Sequence, residues 1–320
     1  VIVKAQGAGS LSAVFRTSSF TGDDSVTFAS NTNATDQIQA IQADGFQVGT
    51  SGVVNTNGAV YNWMCFNADG NTDIAVGSYS GNGSDNRSIT GVGFRPNFVF
   101  IKETGVGFAS VFRHSSATTD ISHRFSGLSS GADVIQDFEA DGFQVGTDNT
   151  VNRSGSTYYW VAMRARTGVF QQGIYTGNST DNRSITGVGF QPEMVIVKNQ
   201  TTTTQNASLV TNNTTVGDSH VITGAGDITN AIQALETDGF QVGTDSTVNT
   251  SGDLYMYMAW NKTADQTTTS TSSSTSTSTS TSTSSSTSTS SSTSTTSTSS
   301  STTQTTTSTS TTSTSTSTST

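Results

Sequence analysis

Histidines and acidic residues are the side chains that could carry acid–base chemistry here. The chain has three histidines, His114, His123 and His220. No His-x-x-x-His pair is present, so the zinc-protease motif is not indicated. A lone cysteine, Cys65, excludes a disulfide framework and a cysteine-based zinc site within the chain. We therefore predict no catalytic residues and no enzymatic activity.

Three aspartates, Asp44, Asp141 and Asp238, stand in identical surroundings, each directly before Gly-Phe. Such a residue could act as a catalytic or metal-binding carboxylate. Asp-Gly is also a strong turn signal, because glycine reaches positive φ and aspartate bonds to the nearby backbone. We interpret these aspartates as turn-forming residues of a structural motif that includes Phe46, Phe143 and Phe240.

One segment alternates oxygen-bearing side chains in the manner of a calcium loop: Asn67, Asp69, Asn71 and Asp73, with Gly70 in the middle. An EF-hand is excluded, because Ser78 stands at the twelfth position, where that motif needs glutamate. A turn between two domains is the favoured interpretation, and calcium stays open as the alternative. No other cofactor is predicted.

Aromatic residues alternate at period two in Tyr61-Asn-Trp63 and Tyr158-Tyr-Trp160, which places each pair on one face of a strand. Such faces pack into a core or stack on sugar rings, and the neighbouring apolar residues favour the core. Cys65 corresponds to alanine in the related segments, which favours a small buried residue.

These candidates belong to a repeating unit. The string Asp-Gly-Phe-Gln-Val-Gly-Thr occurs at 44–50, 141–147 and 238–244, a spacing of 97 residues both times. No histidine occurs in all three copies, so a shared histidine mechanism is excluded. We predict three domains at 1–75, 76–170 and 171–263, each of a length suited to an independent domain, followed by a tail at 264–320.

The fold class predicted for the repeats is all-β. Short β-branched and aromatic runs lie between turn residues at intervals of 8–12 residues, as in an antiparallel sandwich or jelly roll. The Ile-x-x-Ile, Ile-x-x-Phe and Ile-x-x-Leu spacings before Asp-Gly indicate a turn or two of helix.

A second block, Gly-x-Tyr-x-Gly-Asn, leads through Asp-Asn-Arg-Ser-Ile-Thr-Gly-Val-Gly-Phe to proline and a Val-x-x-Lys segment. With Asp-Gly-Phe-x-Val-Gly and Val-Asn-x-Ser-Gly-x-x-Tyr it resembles a repeat module of uncharacterised function from phage and prophage structural proteins, especially tail-associated ones. The blocks lie at Gly77 to Asn82, Gly93 to Lys102, Asp141 to Gly146 and Val151 to Tyr158, and the resemblance covers roughly residues 1–262. The resemblance is specific as a domain pattern, but it is uninformative about chemistry and carries over no catalytic residue.

The first repeat lacks this opening block, because Val1 corresponds to a position beyond it. Either the sequence starts inside a longer chain, or another subunit supplies the missing strand by β-strand addition. We expect repeat one to be completed in trans or to show an unpaired edge near Val1 to Lys4.

Composition excludes several partners and classes of protein. The net charge is −10, and the 13 Lys and Arg residues are scattered, which argues against nucleic acid. No stretch approaches the 18 apolar residues of a transmembrane span. Residues 267–320 are serine or threonine except Gln304, a composition typical of an O-glycosylated stalk.

Asn-x-Ser/Thr sequons are dense and become N-glycosylation candidates if the protein is exported. They are Asn33, Asn82, Asn86, Asn152, Asn178, Asn182, Asn206, Asn212, Asn213, Asn249 and Asn261.

These features together favour a non-catalytic extracellular protein on a cell or virion surface, a subunit of a filament or appendage that joins copies of itself through sheet edges. The alternative is a phage-tail-like adhesin or carbohydrate-binding module. An enzyme built on a lectin-like sandwich is a third, less favoured hypothesis.

Overall fold

The computed structural model describes residues 1–7, 11–67, 73–117, 120–224 and 226–261, and the predicted tail lies outside them. The all-β prediction is confirmed. These residues form antiparallel sheets, with two four-residue helices as the helical elements. The described residues belong to one compact unit. None of the helices described is long and apolar enough to cross a membrane.

Repeat one is the shortest of the three. It consists of β1 (Ile2–Ala5), β2 (Val14–Phe15), β3 (Val26–Thr27), β4 (Ile38–Gln42), β5 (Gly45–Val48), α1 (Gly52–Asn55) and β6 (Tyr61–Met64).

Repeat two has two additional strands at its start. It consists of β7 (Ile74–Ser80), β8 (Arg87–Thr90), β9 (Phe98–Glu103), β10 (Val111–His114), β11 (His123–Arg124), β12 (Ile135–Glu139), β13 (Gly142–Val145), α2 (Asn149–Asn152) and β14 (Thr157–Met163).

Repeat three matches repeat two almost strand for strand. It consists of β15 (Phe170–Thr176), β16 (Arg183–Thr186), β17 (Met194–Asn199), β18 (Ser208–Thr211), β19 (Asp218–Val221), β20 (Ile228–Thr229), β21 (Ile232–Glu236), β22 (Gly239–Val242) and β23 (Leu254–Trp260).

Each complete repeat is a sandwich of two sheets. In repeat two the larger sheet has the order β11-β10-β9-β14-β7 and the smaller has the order β12-β13-β8. One apolar cluster joins the two sheets, with Ile101 and Trp160 from the larger and Ile89 and Phe143 from the smaller. The opening block therefore contributes one edge strand to each sheet, β7 and β8.

The helical turn predicted before Asp-Gly is wrong, since those residues are the strands β4, β12 and β21. Each strand has a bulge, which in β12 lies between Ile135 and Asp137. The extra residue lets Ile135 and Phe138 both face the core, although they are three positions apart. The spacing of three therefore reflects a bulged strand.

The three repeats close into a ring with approximate three-fold symmetry. Equivalent hydrogen bonds join them: Ser110 N–H donates to Phe28 (3.1 Å), Ala207 N–H to Phe125 (2.8 Å), and Ala13 N–H to Ile222 (2.7 Å), in each case to the backbone carbonyl. A shared central core contains residues of all three repeats, among them Phe28, Phe125 and Ile222. The repeats thus bury apolar surface against one another as well as within themselves.

Buried lysines help to fasten these interfaces. The Lys102 ammonium donates to the carbonyls of Ala29 (3.0 Å) and Asn31 (2.7 Å) in repeat one and to that of Phe108. In repeat three, Lys198 donates to Ser126 of repeat two (3.1 Å) and to two carbonyls of its own repeat. Burial lowers the pKa of both lysines to about 8.

Candidate functional site

The clearest candidate site is a groove in repeat one. The equivalent grooves of repeats two and three are filled, and their contacts show which residues line such a groove. There, the opening strand lies along the last strand of the repeat, so that β7 pairs with β14 over seven residues. Gly77 lies opposite Trp160, and a β-carbon at Gly77 would overlap the indole ring. In repeat three, Gly173 lies against Tyr257 in the same way. Glycine is therefore required where the opening strand crosses the aromatic ring.

Two residues further along, the opening strand carries a partly buried tyrosine, Tyr79. The Tyr79 ring stacks on Tyr158 with 5.2 Å between centroids, and its hydroxyl donates to the Val151 carbonyl at 2.6 Å. The Arg87 guanidinium lies 5.2 Å from the centroid of the same ring. Burial raises the pKa of Tyr79, so the hydroxyl stays protonated and able to donate.

An asparagine after the short helix holds the loop of the opening block. The Asn152 amide donates to the Ser84 carbonyl (2.7 Å), and its oxygen accepts from Asn82 N–H (3.0 Å) and from the Arg87 guanidinium (3.2 Å). Asn249 makes the equivalent bonds to Thr180, Asn178 and Arg183. One fully buried side chain thus satisfies three polar groups of the opening block.

The repeated aspartate binds the other end of the opening block. Asp141 lies in the turn of the β12–β13 hairpin, and its carboxylate accepts from Gly93 N–H (2.6 Å) and Gly91 N–H (3.1 Å). Asp238 accepts from Gly189 (2.7 Å) and Gly187 (3.0 Å) in the same geometry. The residue therefore does more than form a turn, since it holds the loop that follows β8 or β16.

Repeat one has these receiving residues, and none of the described residues covers them as the opening blocks do in repeats two and three. Its larger sheet has the order β3-β2-β1-β6, which leaves β6 as an edge strand, while β1 is paired on both sides. The predicted unpaired edge therefore lies at Tyr61–Met64 and not at Val1 to Lys4. Trp63 on this edge is 61% exposed, against 5% for Trp160 and 7% for Tyr257.

The groove already has the shape of its filled counterparts. Phe46 meets Trp63 edge-on with 5.7 Å between centroids, compared with 5.8 Å for Phe143 and Trp160. The Tyr61 hydroxyl accepts from Thr56 N–H and donates to the Gly52 carbonyl, both at 2.8 Å, as Tyr158 does with Arg153 and Asn149. A cavity of about 760 Å³ lies at this place, lined in part by Trp63, Ile41, Asp44 and Gly45.

Two predictions for repeat one are corrected by this open edge. Trp63 was predicted to lie in the core, as Tyr158 and Trp160 do, yet it is largely exposed. Cys65 was predicted to be a small buried residue, but it is exposed, whereas its counterpart Ala162 is fully buried and pairs with Ala75 of the opening strand. Both differences arise because nothing in the described chain covers β6.

The histidines lie at or near the interfaces between repeats, where each has a hydrogen-bond partner. His220 of repeat three contacts Asn62 of repeat one (2.8 Å) and Asp227 (2.8 Å). His114 and His123 are buried near each other, with ring centroids 6.3 Å apart. Burial first, and then neighbouring positive charges, lower the pKa of His123 to about 4, which makes it a weak base at neutral pH.

A serine pairs with one of these histidines. Residues 127–131 spell Gly-x-Ser-x-Gly, and the next serine, Ser130, lies 2.8 Å from His123 Nδ1. The nucleophile elbow of hydrolases needs this serine between a strand and a helix. Here β11 ends at Arg124, and bends and turns lead to β12. The Gly-x-Ser-x-Gly segment therefore does not form the strand–turn–helix of a nucleophile elbow.

Two of the four residues of the candidate calcium loop lie outside the residues that the structure describes. Asp69 and Asn71 are not among the described residues, and Asn67 lies just before them. Asp73 forms ion pairs with Arg164 (2.7 Å) and Arg166 (3.2 Å). Among the residues the structure describes, no group of three His, Cys, Asp or Glu side chains is placed to hold a metal ion.

The glycosylation candidates divide by exposure. Asn152 and Asn249 are fully buried and hydrogen-bonded as described, so the folded chain cannot carry sugar on them. Asn33, Asn206 and Asn261 are partly buried. The remaining sequons are exposed: Asn82, Asn86, Asn178, Asn182, Asn212 and Asn213.

Comparison with known families gives one assignment. The family described as "Domain of unknown function (DUF7483)" matches residues 73–166 and 165–317. The chain belongs to this family. The first match begins one residue before β7, and the second begins shortly before β15, so the family's unit includes the opening strand. No curated protein and no solved structure matches the chain.

Sequence reasoning missed the roles of Asp141 and Asn152 across the two blocks. Both residues recur in all three repeats at a spacing of 97 residues, and their copies in repeat one are Asp44 and Asn55. Repetition alone marked them as structural. It did not show that their partners lie in the opening block of the same repeat.

Proposed function

We propose that this protein is a non-catalytic structural subunit of an extracellular filament or appendage, in which the groove of repeat one accepts a β-strand from a neighbouring polypeptide. The observation that carries the proposal is strand β6, which the described residues leave uncovered, with its exposed Trp63 at a place that is covered in both other repeats. Strand addition at a sheet edge combines main-chain hydrogen bonds with pockets for alternate side chains.

The energetics of an open edge support the proposal. Unpaired backbone groups next to an exposed indole are a liability that proteins normally cover with charge, proline or another element. The strand Tyr61-Asn-Trp-Met carries neither charge nor proline. A partner strand would satisfy the edge and bury the ring, so association is favoured by two effects at once.

The test compares self-association of the natural protein and an edge variant by light scattering and electron microscopy. We expect Trp63→Lys to reduce assembly at least tenfold, because it places a charge where the partner strand must pack. Val216→Lys, at an exposed position in repeat three, is the matched control and should assemble normally. The proposal fails if Trp63→Lys assembles like the control, or if the natural protein has its own opening block before Val1 and stays monomeric.

A second candidate function is carbohydrate binding by a phage-tail-like adhesin. It is favoured by the exposed Trp63, since indole faces stack on sugar rings. Titration with oligosaccharides separates the two functions, because saturable binding that Trp63→Ala abolishes, in a protein that does not assemble, would favour the adhesin.

A further inference from the structure

We infer that the groove of repeat one is a sequence-specific peptide-binding site whose ligand is an opening block of this family, Gly-x-Tyr-x-Gly-Asn followed by Arg-Ser-Ile-Thr-Gly-Val-Gly. The inference rests on the proposed function and names the partner segment. Its basis is that two equivalent grooves in the same molecule are filled by such segments, residues 74–93 and 170–189, through contacts that repeat one can reproduce.

Trp63 sets the first requirement of the ligand. Its counterparts Trp160 and Tyr257 pack directly against the opening strand, at a position where any β-carbon would overlap the ring. Because Trp63 meets Phe46 at nearly the same distance as in the filled groove, its indole is already in place. The residue of the ligand that crosses Trp63 must therefore be glycine.

Tyr61 and Val54 set the second requirement. In the filled grooves a ligand tyrosine stacks on the residue equivalent to Tyr61, at 5.2 Å in both repeats. Its hydroxyl donates to the carbonyl equivalent to that of Val54, at 2.6 Å in both. A tyrosine two positions after the glycine fits this arrangement, and phenylalanine would leave the carbonyl without that donor.

Asn55 and Asp44 bind the polar parts of the block. Asn55 is exposed in repeat one and donates to the Gly49 carbonyl, as Asn152 does to Gly146, so its side chain is already oriented. Its partners in the ligand are the loop backbone and an arginine. Asp44 is exposed and is placed to accept two glycine N–H groups, as Asp141 and Asp238 do.

Gly45 and Phe46 accommodate the second strand of the ligand. In repeat two, β8 passes so close to Gly142 that a β-carbon there would overlap the Ile89 carbonyl, whereas the space above Gly45 is open. Phe143, opposite Ile89, is fully buried, but its counterpart Phe46 is half-buried. An isoleucine in the ligand would complete this small core.

The protein's own Ser/Thr tail does not meet these requirements. Residues 267–320 contain no glycine, tyrosine, arginine or isoleucine. A tail strand could bond to the edge of β6 through its backbone, but it would leave the Trp63 and Tyr61 rings without apolar partners. The groove therefore discriminates in favour of the opening block.

The direct experiment adds a synthetic peptide of residues 73–96 to the full chain. Trp160 and Trp260 are buried, so a shift of tryptophan emission to shorter wavelength reports mainly the burial of Trp63. We expect saturable binding, weakened at least tenfold by Gly77→Val or Tyr79→Ala in the peptide and by Asp44→Ala in the protein. Absence of binding overturns the inference. So does a Gly77→Val peptide, or a tail peptide of residues 270–293, that binds as tightly as the natural peptide.

A second experiment joins the opening block covalently to repeat one, because a free peptide pays a larger entropic cost to become ordered on binding. Residues 73–98 placed directly before Val1 reproduce the connection from β8 to β9 in repeat two, because Val1 corresponds to Val99. We expect slowed amide exchange over residues 61–64, a blue-shifted Trp63 and a higher melting temperature. A graft with Gly77→Val should show none of these, and a graft indistinguishable from the parent chain contradicts the inference.

These outcomes are separable from those of the proposed function. Peptide binding in a natural protein that does not assemble would leave the recognition site intact and reject the filament subunit. Assembly that depends on Trp63 but ignores the opening-block peptide would support the subunit and reject the ligand.

Discussion

Single residues of the same type behave differently in the three repeats because their neighbours differ. Trp63 and Trp160 occupy equivalent positions on equivalent strands, yet one is 61% exposed and the other 5%. The covering strand, rather than the residue, decides whether the indole belongs to the core. The same comparison provides matched controls for mutations, because each receiving residue exists in a covered and an uncovered copy.

The phenylalanine of the repeated motif illustrates this. Phe143→Ala should destabilise the protein by roughly 3–5 kcal/mol, the usual cost of removing a fully buried ring. Phe46→Ala should cost clearly less, because Phe46 is half-buried beside the open groove. Denaturant unfolding measures both values. Equal losses would show that the groove of repeat one is covered in solution.

The buried histidines predict a pH dependence of stability. Burial, followed by the charges of His123 and Arg113, lowers the pKa of His114 to about 3, and that of His123 falls to about 4. The unfolded chain takes up protons on both near pH 6.5 while the folded chain does not. Stability should therefore fall as the pH drops from about 6.5 towards about 4.

The other repeats suggest the variant that tests this. Thr17 and Thr211 stand where repeat two has His114, and Val26 stands where it has His123. The double variant His114→Thr, His123→Val should show a flatter dependence of unfolding free energy on pH between 7 and 4. An unchanged slope would mean that other groups cause the acid sensitivity.

At the scale of the elements, the sequence predicted which segments are strands better than how they pair. Val-x-x-Lys and Asp-Gly-Phe-x-Val-Gly segments were predicted as strands and turns, and they form β9 and the β12–β13 hairpin. The Ile-x-x-Phe segment was predicted as helix because a bulge produces the same spacing of apolar residues. Periodicity does not distinguish a bulged strand from a helical turn, since both bring residues three apart onto one face.

The candidate site was predictable only in part. Val1 corresponds to Val99 of repeat two, and this correspondence predicts that the described strands of repeats one and two differ. The place of the unpaired edge on β6 rather than β1 depends on strand order, which local pattern does not encode. The partners of Asp141 lie about 50 residues away in sequence, so its contacts could be found only from the folded chain.

Gly142, in strand β13 of the β12–β13 hairpin, gives a prediction about how strand β8 of the opening block packs. Gly142 (φ 155°) and Gly45 (φ 141°) are strained to a similar degree when replaced by alanine. Of these two glycines, Gly142 is the one where the new methyl group would overlap a neighbouring strand, at the Ile89 carbonyl. Gly142→Ala should therefore cost roughly 1–3 kcal/mol more than Gly45→Ala in denaturant unfolding. Equal costs would indicate that β8 does not pack as described.

At the scale of the whole molecule, the tail carries a prediction of its own. Residues 267–320 offer no apolar side chain to bury, and we propose that O-linked sugars cover this Ser/Thr segment. Chemical deglycosylation should then lower the intact mass of the natural protein by several kilodaltons. An intact mass that deglycosylation leaves unchanged contradicts the glycosylated stalk.

Closure of the three repeats into a ring predicts cooperative unfolding. Separate sandwiches joined by linkers would unfold in up to three transitions, but here Phe28 of repeat one and Phe125 of repeat two meet with centroids 4.9 Å apart in the shared core. Loss of one repeat exposes the apolar faces of the other two, which couples their stabilities. Calorimetry should show one transition whose calorimetric and van't Hoff enthalpies agree.

Phe125→Ala in the shared core tests the same coupling, with Phe240→Ala in repeat three's own core as the comparison. We expect each substitution to lower the temperature of the single transition without dividing it, because the ring transmits the loss to all repeats. A Phe240→Ala protein that melts in two steps, with repeat three first, would show that the inter-repeat hydrogen bonds and buried lysines are too weak to couple the repeats.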